Sequence, residues 1–257
     1  MKIHHENHII ICNFPNAEKV LLLLDELQAT EAYKSCEVVI ISNDIDELPG
    51  HLQKRGVHFV KGLPTSEDVL HQANIIHSDG VFIIPKQSDD PSSDAETYAI
   101  GSIIELIEAE TKSPIKTVVE LVSAGNLRMM ERAQTDGIIV SSGINENMIV
   151  QEFLNPGIHK TFEQLISNRE GSQFYVHSTS LRDIPFADIQ IAAIKHSTNM
   201  QLIGIVKDGK HVLNPPKHVN VESGDQLIIL ADKLEDFLSI EKDIESQRGS
   251  EKASKTP

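Results

Sequence analysis

The first 150 residues alternate short apolar runs with segments of helical periodicity, and this alternation limits the fold more than any other feature of the sequence. Residues 8–12 form the first apolar run, which is typical of a parallel strand covered on both faces. Residues 16–27 then repeat apolar side chains at helical spacing. The same alternation predicts further strands at 37–41, 57–60, 80–84, 116–122 and 137–140, and further helices at 46–56, 66–73, 94–109 and 126–133. This β-α-β order predicts a Rossmann-like, doubly wound parallel sheet over residues 1–145.

The pattern changes after residue 145 and predicts three further segments. Residues 146–168 are helical in pattern but are interrupted by Asn155-Pro156-Gly157, so we expect a two-helix crossover there. Residues 169–242 are expected to form a small α+β C-terminal lobe. The strand patterns of this lobe lie at 174–177, 190–194, 201–206 and 226–231. Residues 243–257 are predicted to be a disordered tail, because this Ser/Lys/Glu-rich stretch lacks apolar periodicity.

The charge balance and composition argue against several classes of function. The 23 basic and 38 acidic residues give a formal net charge of -15, which disfavours general affinity for nucleic acid or anionic lipid. No apolar run approaches the roughly 18 residues that a membrane-spanning helix needs. The two cysteines have neither disulfide-framework nor zinc spacing, and the start of the chain lacks a signal-peptide pattern. The chain is therefore expected to stay in the cytoplasm without direct membrane insertion.

The loops after the first, second and fourth strands carry the candidate nucleotide contacts, because ligands of doubly wound sheets bind at the carboxyl ends of the strands. Residues 13–17 lack the glycines that let a backbone approach a pyrophosphate. Asn16 suits a helix N-cap, and a surviving nucleotide contact is the alternative. Asp44 is either a ribose-binding carboxylate or an ordinary turn residue. The candidate contacts are Asn13, Phe14, Asn16, Asp44 and Lys86.

Four carboxylates form a candidate metal site. Glu120 lies within an apolar strand pattern, where a carboxylate is costly unless it has a partner or a bound cation. A Ca²⁺ ion at Glu120 would need further oxygens from the polar loop at 85–94, which contains Asp89, Asp90 and Asp94. The alternatives are a structural partner for Glu120 and a solvated loop in which Asp94 caps the next helix.

The sequence contains no motif of a known catalytic site. The GxSxG elbow, the HExxH helix and the P-loop are all missing. His4, His5 and His8 lie close together near the N-terminus, where a metal-binding cluster and a frayed terminus are the two interpretations, with the frayed terminus preferred. The chain is therefore predicted not to be an enzyme.

Several strings resemble the regulator of potassium conductance family (RCK, also called KTN, or TrkA-N with TrkA-C). They are HIIIC at 8–12, KGLPT at 61–65, DAET at 94–97, VVELV at 118–122, NPP at 214–216 and SGDQLIIL at 223–230. The most specific is the NPP turn followed about ten residues later by the Gly224-Asp225 pair and an apolar strand, which is typical of the C-terminal lobe of this family.

The resemblance implies a cytosolic, ligand-sensing gating-ring domain of a prokaryotic potassium channel. It further implies a homodimer locked by the crossover, a ring commonly of eight lobes, and a channel or transporter pore as partner at the inner face of the membrane. The apolar crossover residues that suit such a dimer are Met148, Ile149, Phe153, Leu154, Phe162, Leu165 and Ile166. The gating ligand is unassigned, with Ca²⁺ and an adenine nucleotide as candidates. An NAD(P)-dependent Rossmann oxidoreductase and a free-standing small-molecule sensor are the alternative functions.

Overall fold

A computed structural model describes residues 3–169, 171–196 and 199–254, with side chains described as far as Ser246. The chain divides into two compact units, Met1–Pro156 and Gly157–Pro257. This boundary falls between the two predicted crossover helices, so that each unit contains one of them. Across the described ranges, no helix is both long enough and apolar enough to cross a membrane.

The first unit is built on a six-stranded parallel sheet in the order β3-β2-β1-β4-β5-β6. Its strands are β1 (Ile9–Cys12), β2 (Val38–Ser42), β3 (Val57–Lys61), β4 (Gly80–Ile83), β5 (Thr117–Leu121) and β6 (Gly137–Val140). Strand order reverses between β1 and β4, which places the switch point of the doubly wound sheet at their carboxyl ends. The predicted fold class is confirmed.

Helices cover both faces of this sheet. They are α1 (Ala17–Ala29), α2 (Gly50–Gln53), α3 (Glu67–Gln72), α4 (Ser93–Thr111) and α5 (Leu127–Met130). Helix α6 (Ile144–Leu154) follows β6 and buries none of its residues. Alternate strand residues point to opposite faces, so that Ile9 and Ile11 pack in the core layer with α1, whereas Ile10 and Cys12 pack in the layer with α4. The central strands β1 and β2 are buried at every residue, which explains their apolar sequences.

The N-terminal segment before β1 is held against the rest of the first unit. The Ile3 N–H donates to the Gln72 carbonyl, and the Asn7 N–H donates to the His77 carbonyl, each over 2.8 Å. Ile3 belongs to the core, and His8 is fully buried, which lowers the pKa of its imidazole by desolvation. The preferred interpretation of a frayed terminus is therefore wrong from Ile3 onwards, and residues 1–2 lie outside the described part.

The second unit contains a small antiparallel sheet in the order β10-β9-β12-β7, together with a two-stranded β8–β11 ladder. Its elements are α7 (Ile158–Ile166), β7 (Gln173–Ser178), β8 (Ile184–Pro185), α8 (Phe186–Lys195), β9 (Met200–Lys207), β10 (Lys210–Leu213), β11 (Asn220–Val221), β12 (Gln226–Ala231) and α9 (Leu234–Ser254). The second unit therefore has the small α+β fold that the sequence predicted.

Two local predictions in this unit are corrected. Residues 190–194, predicted as a strand, lie inside helix α8, because Phe186, Ile189 and Ala193 recur at helical spacing and are buried on one face. Residues 243–254, predicted as disordered, continue helix α9, which begins at Leu234 and packs Phe237 into the core. Residues 255–257 of the predicted tail lie outside the described residues.

Candidate functional site

Asn13 lies at the switch point and joins three strand ends. Its N–H donates to the Ile41 carbonyl over 2.9 Å, and its Nδ2 donates to the Ile84 carbonyl over 3.0 Å. Its φ of 76° lies in the left-handed region, which asparagine tolerates better than other residues with a side chain. Asn13 is fully buried, and its Oδ1 accepts no hydrogen bond from any described residue. A ligand could hydrogen-bond to this buried carbonyl oxygen only after a local rearrangement, because the atom is shielded from solvent.

Lys86 is at the centre of a polar cluster, the switch-point cluster, which consists of Asn43, Asp44, Lys86 and Glu96. Its Nζ lies 3.2 Å from Asn43 Oδ1, 3.5 Å from Asp44 Oδ1 and 3.2 Å from Glu96 Oε1. Asn43 and Asp44 follow β2, Lys86 follows β4, and Glu96 lies in the first turn of α4. These elements place one cation among two carboxylates and an amide at the carboxyl edge of the sheet.

Three of the five predicted nucleotide contacts lie at strand ends, and the other two interact with helix α1 or its core layer. Asn13, Asp44 and Lys86 lie at the carboxyl ends of neighbouring strands, as expected. Asn16 is the N-cap of α1, since its Oδ1 accepts a hydrogen bond from the Lys19 N–H over 2.8 Å, and the capping prediction is confirmed. Phe14 packs against the core layer that contains α1. The nucleotide contact itself stays a prediction.

Sequence reasoning missed Asn43 and Glu96 as members of this cluster. Asn43 directly precedes Asp44, so its position after β2 was a usable signal. Glu96 gave no comparable signal, because it reaches Lys86 from another element and looks like an ordinary first-turn acid of α4.

Glu120 has a protein partner. Its Oε1 lies 2.6 Å from Lys19 Nζ, which reaches it from helix α1, and the side chains are 18% and 24% exposed respectively. The carboxylate therefore satisfies the requirement for compensation that its apolar strand imposes. The ion pair ties α1 to β5, which is the structural alternative weighed from the sequence.

Asp94 fastens the loop after β5 to helix α4. It is fully buried; its Oδ1 accepts from the Val122 N–H over 2.8 Å, while its Oδ2 accepts from the Ser123 N–H over 3.0 Å and from Asn126 Nδ2 over 2.7 Å. Ser92 is the residue at the N-cap position, so the predicted capping role of Asp94 in a solvated loop is wrong. Three donors around one carboxylate form a charge-assisted clamp.

The four predicted calcium ligands do not form one cluster. Asp89 is exposed, and Asp90 accepts from the Ser92 N–H over 2.9 Å and from Ser92 Oγ over 2.6 Å. These two hydrogen bonds hold the pKa of Asp90 below its usual value. Ligand atoms from three of the four acids do not come within 4.8 Å of one another in the described ranges. The calcium site stays a prediction that would require Glu120 or Asp94 to exchange partners.

Helix α6 carries an unpartnered apolar surface. Its exposed apolar residues are Ile144, Ile149, Val150, Phe153 and Leu154. Phe153 is 84% exposed, and no residue of α6 is buried. Helix α7 of the second unit exposes Phe162 and Ile166. Apolar surface of this extent is typical of a protein contact.

The fold and the switch-point cluster define a doubly wound α/β domain of the kind that binds ligands at the carboxyl ends of its strands. Residues 4–117 match the family model described as the calcium-activated potassium channel slowpoke-like RCK domain. Residues 4–117 are therefore similar to an RCK domain. A search of curated protein sequences gives no significant match.

Solved structures that match this chain include a gating ring and an RCK domain. The human SLO3 gating ring matches with 15% identity and a TM-score of 0.64, over 89% of this chain and 45% of that chain. The GsuK RCK domain matches with 14% identity and a TM-score of 0.41, over 94% of this chain and 47% of that chain. The TrkA-N domain of the Escherichia coli inner membrane protein ybaL matches with 14% identity and a TM-score of 0.43, over 59% of this chain and 97% of that chain. This chain spans less than half the length of the SLO3 chain, and that similarity supports the fold.

Proposed function

We propose that this chain is a ligand-sensing domain of a cytosolic gating ring that regulates potassium flux through a channel or transporter pore, and that it has no catalytic activity. The observation that carries the proposal is the slowpoke-like RCK match over residues 4–117, the part of the chain that also contains the switch-point cluster. The similarity in fold to the human SLO3 gating ring, with a TM-score of 0.64, supports the same assignment.

The switch-point cluster favours a ligand that donates hydrogen bonds. Asp44 and Glu96 outnumber the single cation Lys86, so the cluster has a net negative charge. Asn13 Oδ1 adds a buried acceptor, and the glycine-free loop after β1 offers no close backbone cradle for phosphates. Ribose hydroxyl groups fit such acceptors better than a pyrophosphate does. We therefore propose a nucleoside-containing ligand that contacts Asp44 and Asn13 through its sugar.

The exposed apolar surface of α6 supports homodimerisation, and a ring of such dimers, with eight lobes as in the family, is the proposed assembly. Burial of Phe153, Ile149 and Leu154 against a second copy would remove apolar area from water. The pore to which the ring couples is the proposed partner, which places the ring at the inner face of the membrane.

A nucleoside ligand should raise the melting temperature of the protein. Screening NAD, NADH, ATP, ADP and AMP by thermal shift should identify it, since a ligand at 100 times its Kd adds about 2.7 kcal/mol of stability. Asp44→Ala should abolish that shift. Asp46→Ala is the matched control, because this highly exposed acid two residues further pairs with Lys61 and should leave the shift unchanged. If none of the five compounds shifts the melting temperature of the unmutated protein, the nucleotide hypothesis fails.

A calcium site at Glu120 requires the ion to compete with Lys19. Lys19→Met should therefore strengthen calcium-dependent stabilisation, while Glu120→Gln should remove it. Titration calorimetry and thermal shift with millimolar Ca²⁺ measure both effects. If neither the unmutated protein nor Lys19→Met gives heat or a melting shift, Glu120 serves only the ion pair.

Potassium currents test the gating function directly. In inside-out patches containing the pore protein together with this domain, the ligand identified by thermal shift should change the channel open probability when applied to the cytosolic face. Asp44→Ala should remove the response while leaving the pore conductive. Steady oxidation or reduction of an NAD(P) cofactor by the purified chain with a small-molecule substrate would support the oxidoreductase alternative instead.

A further inference from the structure

A second cluster of polar side chains lies at the amino ends of β2 and β3, at the opposite end of the sheet from the switch point. His5, Glu37 and His58 each offer one ligand atom, and these atoms lie within 4.8 Å of one another. Glu37 directly precedes β2, and His58 is the second residue of β3. Among the residues described, no other three His, Cys, Asp or Glu side chains meet this spacing.

The three side chains already face one another. His58 Nε2 lies 2.7 Å from Glu37 Oε2, and the His5 and His58 rings have centroids 4.4 Å apart at an interplanar angle of 33°. Ligand atoms around a tetrahedral zinc ion lie about 3.3 Å apart, given metal–ligand distances near 2.0–2.2 Å. Because the three ligand atoms lie within 4.8 Å of one another, reaching that spacing would require them to move by at most about 1.5 Å relative to one another. His5, Glu37 and His58 are all partly exposed, so an ion can enter from solvent.

The backbone fixes the two ligands on the sheet. The β2–β3 ladder pairs Val38 with Val57, which holds Glu37 and His58 in register. Gly56 makes room for the carboxylate, because a Cβ at this position would lie 3.1 Å from Glu37 Oε2. Its φ of 77° also favours glycine. A metal ligand on a paired strand is more firmly placed than one on a free loop.

The third ligand is held by the segment before β1. Asn74 Nδ2 donates to the His5 carbonyl over 2.8 Å, and the neighbouring Asn7 N–H is bonded to His77. The His5 side chain is thus presented from an anchored backbone, although it comes from a different part of the chain than Glu37 and His58. The cluster spans two segments whose only covalent connection runs through β1 and α1.

We propose that His5, Glu37 and His58 bind a divalent transition-metal ion, with zinc as the best fit, and that the ion fastens the N-terminal segment to the edge of the sheet. Two imidazoles and one carboxylate suit zinc, whereas calcium and magnesium favour oxygen ligands. Three protein ligands leave the fourth position to water. The proposal does not depend on the gating function.

Metal titration of the tag-free full chain tests the site. Zn²⁺ should bind with one ion per chain in titration calorimetry and should raise the melting temperature. Co²⁺ should give the visible absorption bands of a tetrahedral complex. Binding should weaken markedly from pH 7.5 to pH 5.5, because imidazole must be unprotonated to coordinate a metal.

Single substitutions identify the ligands. His58→Ala and Glu37→Gln should each weaken zinc binding by at least about 100-fold, exceeding the 10–100-fold that is usual for losing an outer-shell partner. His211→Ala, an exposed histidine of β10, is the matched control and should bind as the unmutated protein does. Circular dichroism without metal verifies that each variant is folded. If His58→Ala does not fold, Glu37→Gln still tests the site.

The sequence-adjacent His4 and His5 provide a competing explanation, because a histidine pair can chelate a metal by itself. Zinc binding that keeps its affinity in both His58→Ala and Glu37→Gln would assign the ion to these N-terminal residues and overturn the proposal. The proposal would also be overturned if about 10 µM zinc gave neither heat nor a shift in melting temperature. A preformed site with three protein ligands should bind zinc with a Kd below this concentration.

Discussion

Replacing Asp94 with alanine should lower the free energy of unfolding by about 3 kcal/mol. The substitution removes the carboxylate that accepts from the Val122 and Ser123 N–H groups and from Asn126 Nδ2. Because Asp94 is fully buried, water cannot easily replace it, and the donors lose their partner in a low-dielectric setting. The corresponding fall in melting temperature is roughly 6–12 °C. Urea denaturation followed by circular dichroism, together with calorimetry, measures both quantities.

Asp90→Ala is the matched control for this prediction. Asp90 also accepts two hydrogen bonds, from Ser92, but it does so in a polar loop near the surface. Its loss should change stability much less than the loss of Asp94 does. If the two substitutions lowered the free energy of unfolding equally, burial of the Asp94 hydrogen bonds would not increase their contribution to stability. Asp94→Asn keeps one acceptor oxygen and should give an intermediate loss.

The second large effect is expected at Phe153, where aspartate should dissociate the proposed homodimer. Phe153 is 84% exposed on α6, and aromatic residues at the centre of an interface commonly dominate its binding energy. Burying an unpaired carboxylate there should raise the dimer Kd by at least about 100-fold, equivalent to about 2.8 kcal/mol. Sedimentation equilibrium at micromolar concentrations gives the Kd of both proteins.

Leu22→Asp provides the comparison for Phe153→Asp. Leu22 is an exposed apolar residue of α1, 56% accessible, and it lies outside the α6 surface. The Leu22 variant should dimerise as the unmutated protein does. A strictly monomeric unmutated protein at tens of micromolar would contradict the assembly, and so would a dimer that is indifferent to Phe153→Asp.

The sheet of the first unit could be predicted from sequence because its determinants are local. Ile9, Ile10 and Ile11 face alternate core layers, so burial on both faces demands a continuous apolar run that no loop would retain. Helix α8 was misassigned because the run Ile191 to Ile194 fits a strand equally well when taken alone. Phe186 and Ile189, which bury the same face one to two turns earlier, decide for the helix.

The site was only partly predictable, since its contacts join distant parts of the chain. Asp44 and Lys86 could be placed at strand ends because parallel strands share one carboxyl edge. The partner of Glu120 lies 101 residues earlier, and nothing local to Glu120 identifies Lys19. The donors bound by Asp94 lie 28 to 32 residues later, so local patterns suggested helix capping instead of a clamp.

The anchored segment before β1 determines how the first unit would carry mechanical load. β1 lies in the interior of the sheet, between β2 and β4, and the segment ahead of it is bonded at Ile3 and Asn7. Tension applied ahead of Ile3 would first break the hydrogen bonds that hold this segment, including the one from Asn74 to the His5 carbonyl. It would then pull β1 lengthwise against both parallel neighbours. Hydrogen bonds of two ladders would then be loaded together in shear, whereas an edge strand could be peeled away bond by bond. A pull at this end would therefore reach the switch point at Asn13 as a displacement of the whole central strand.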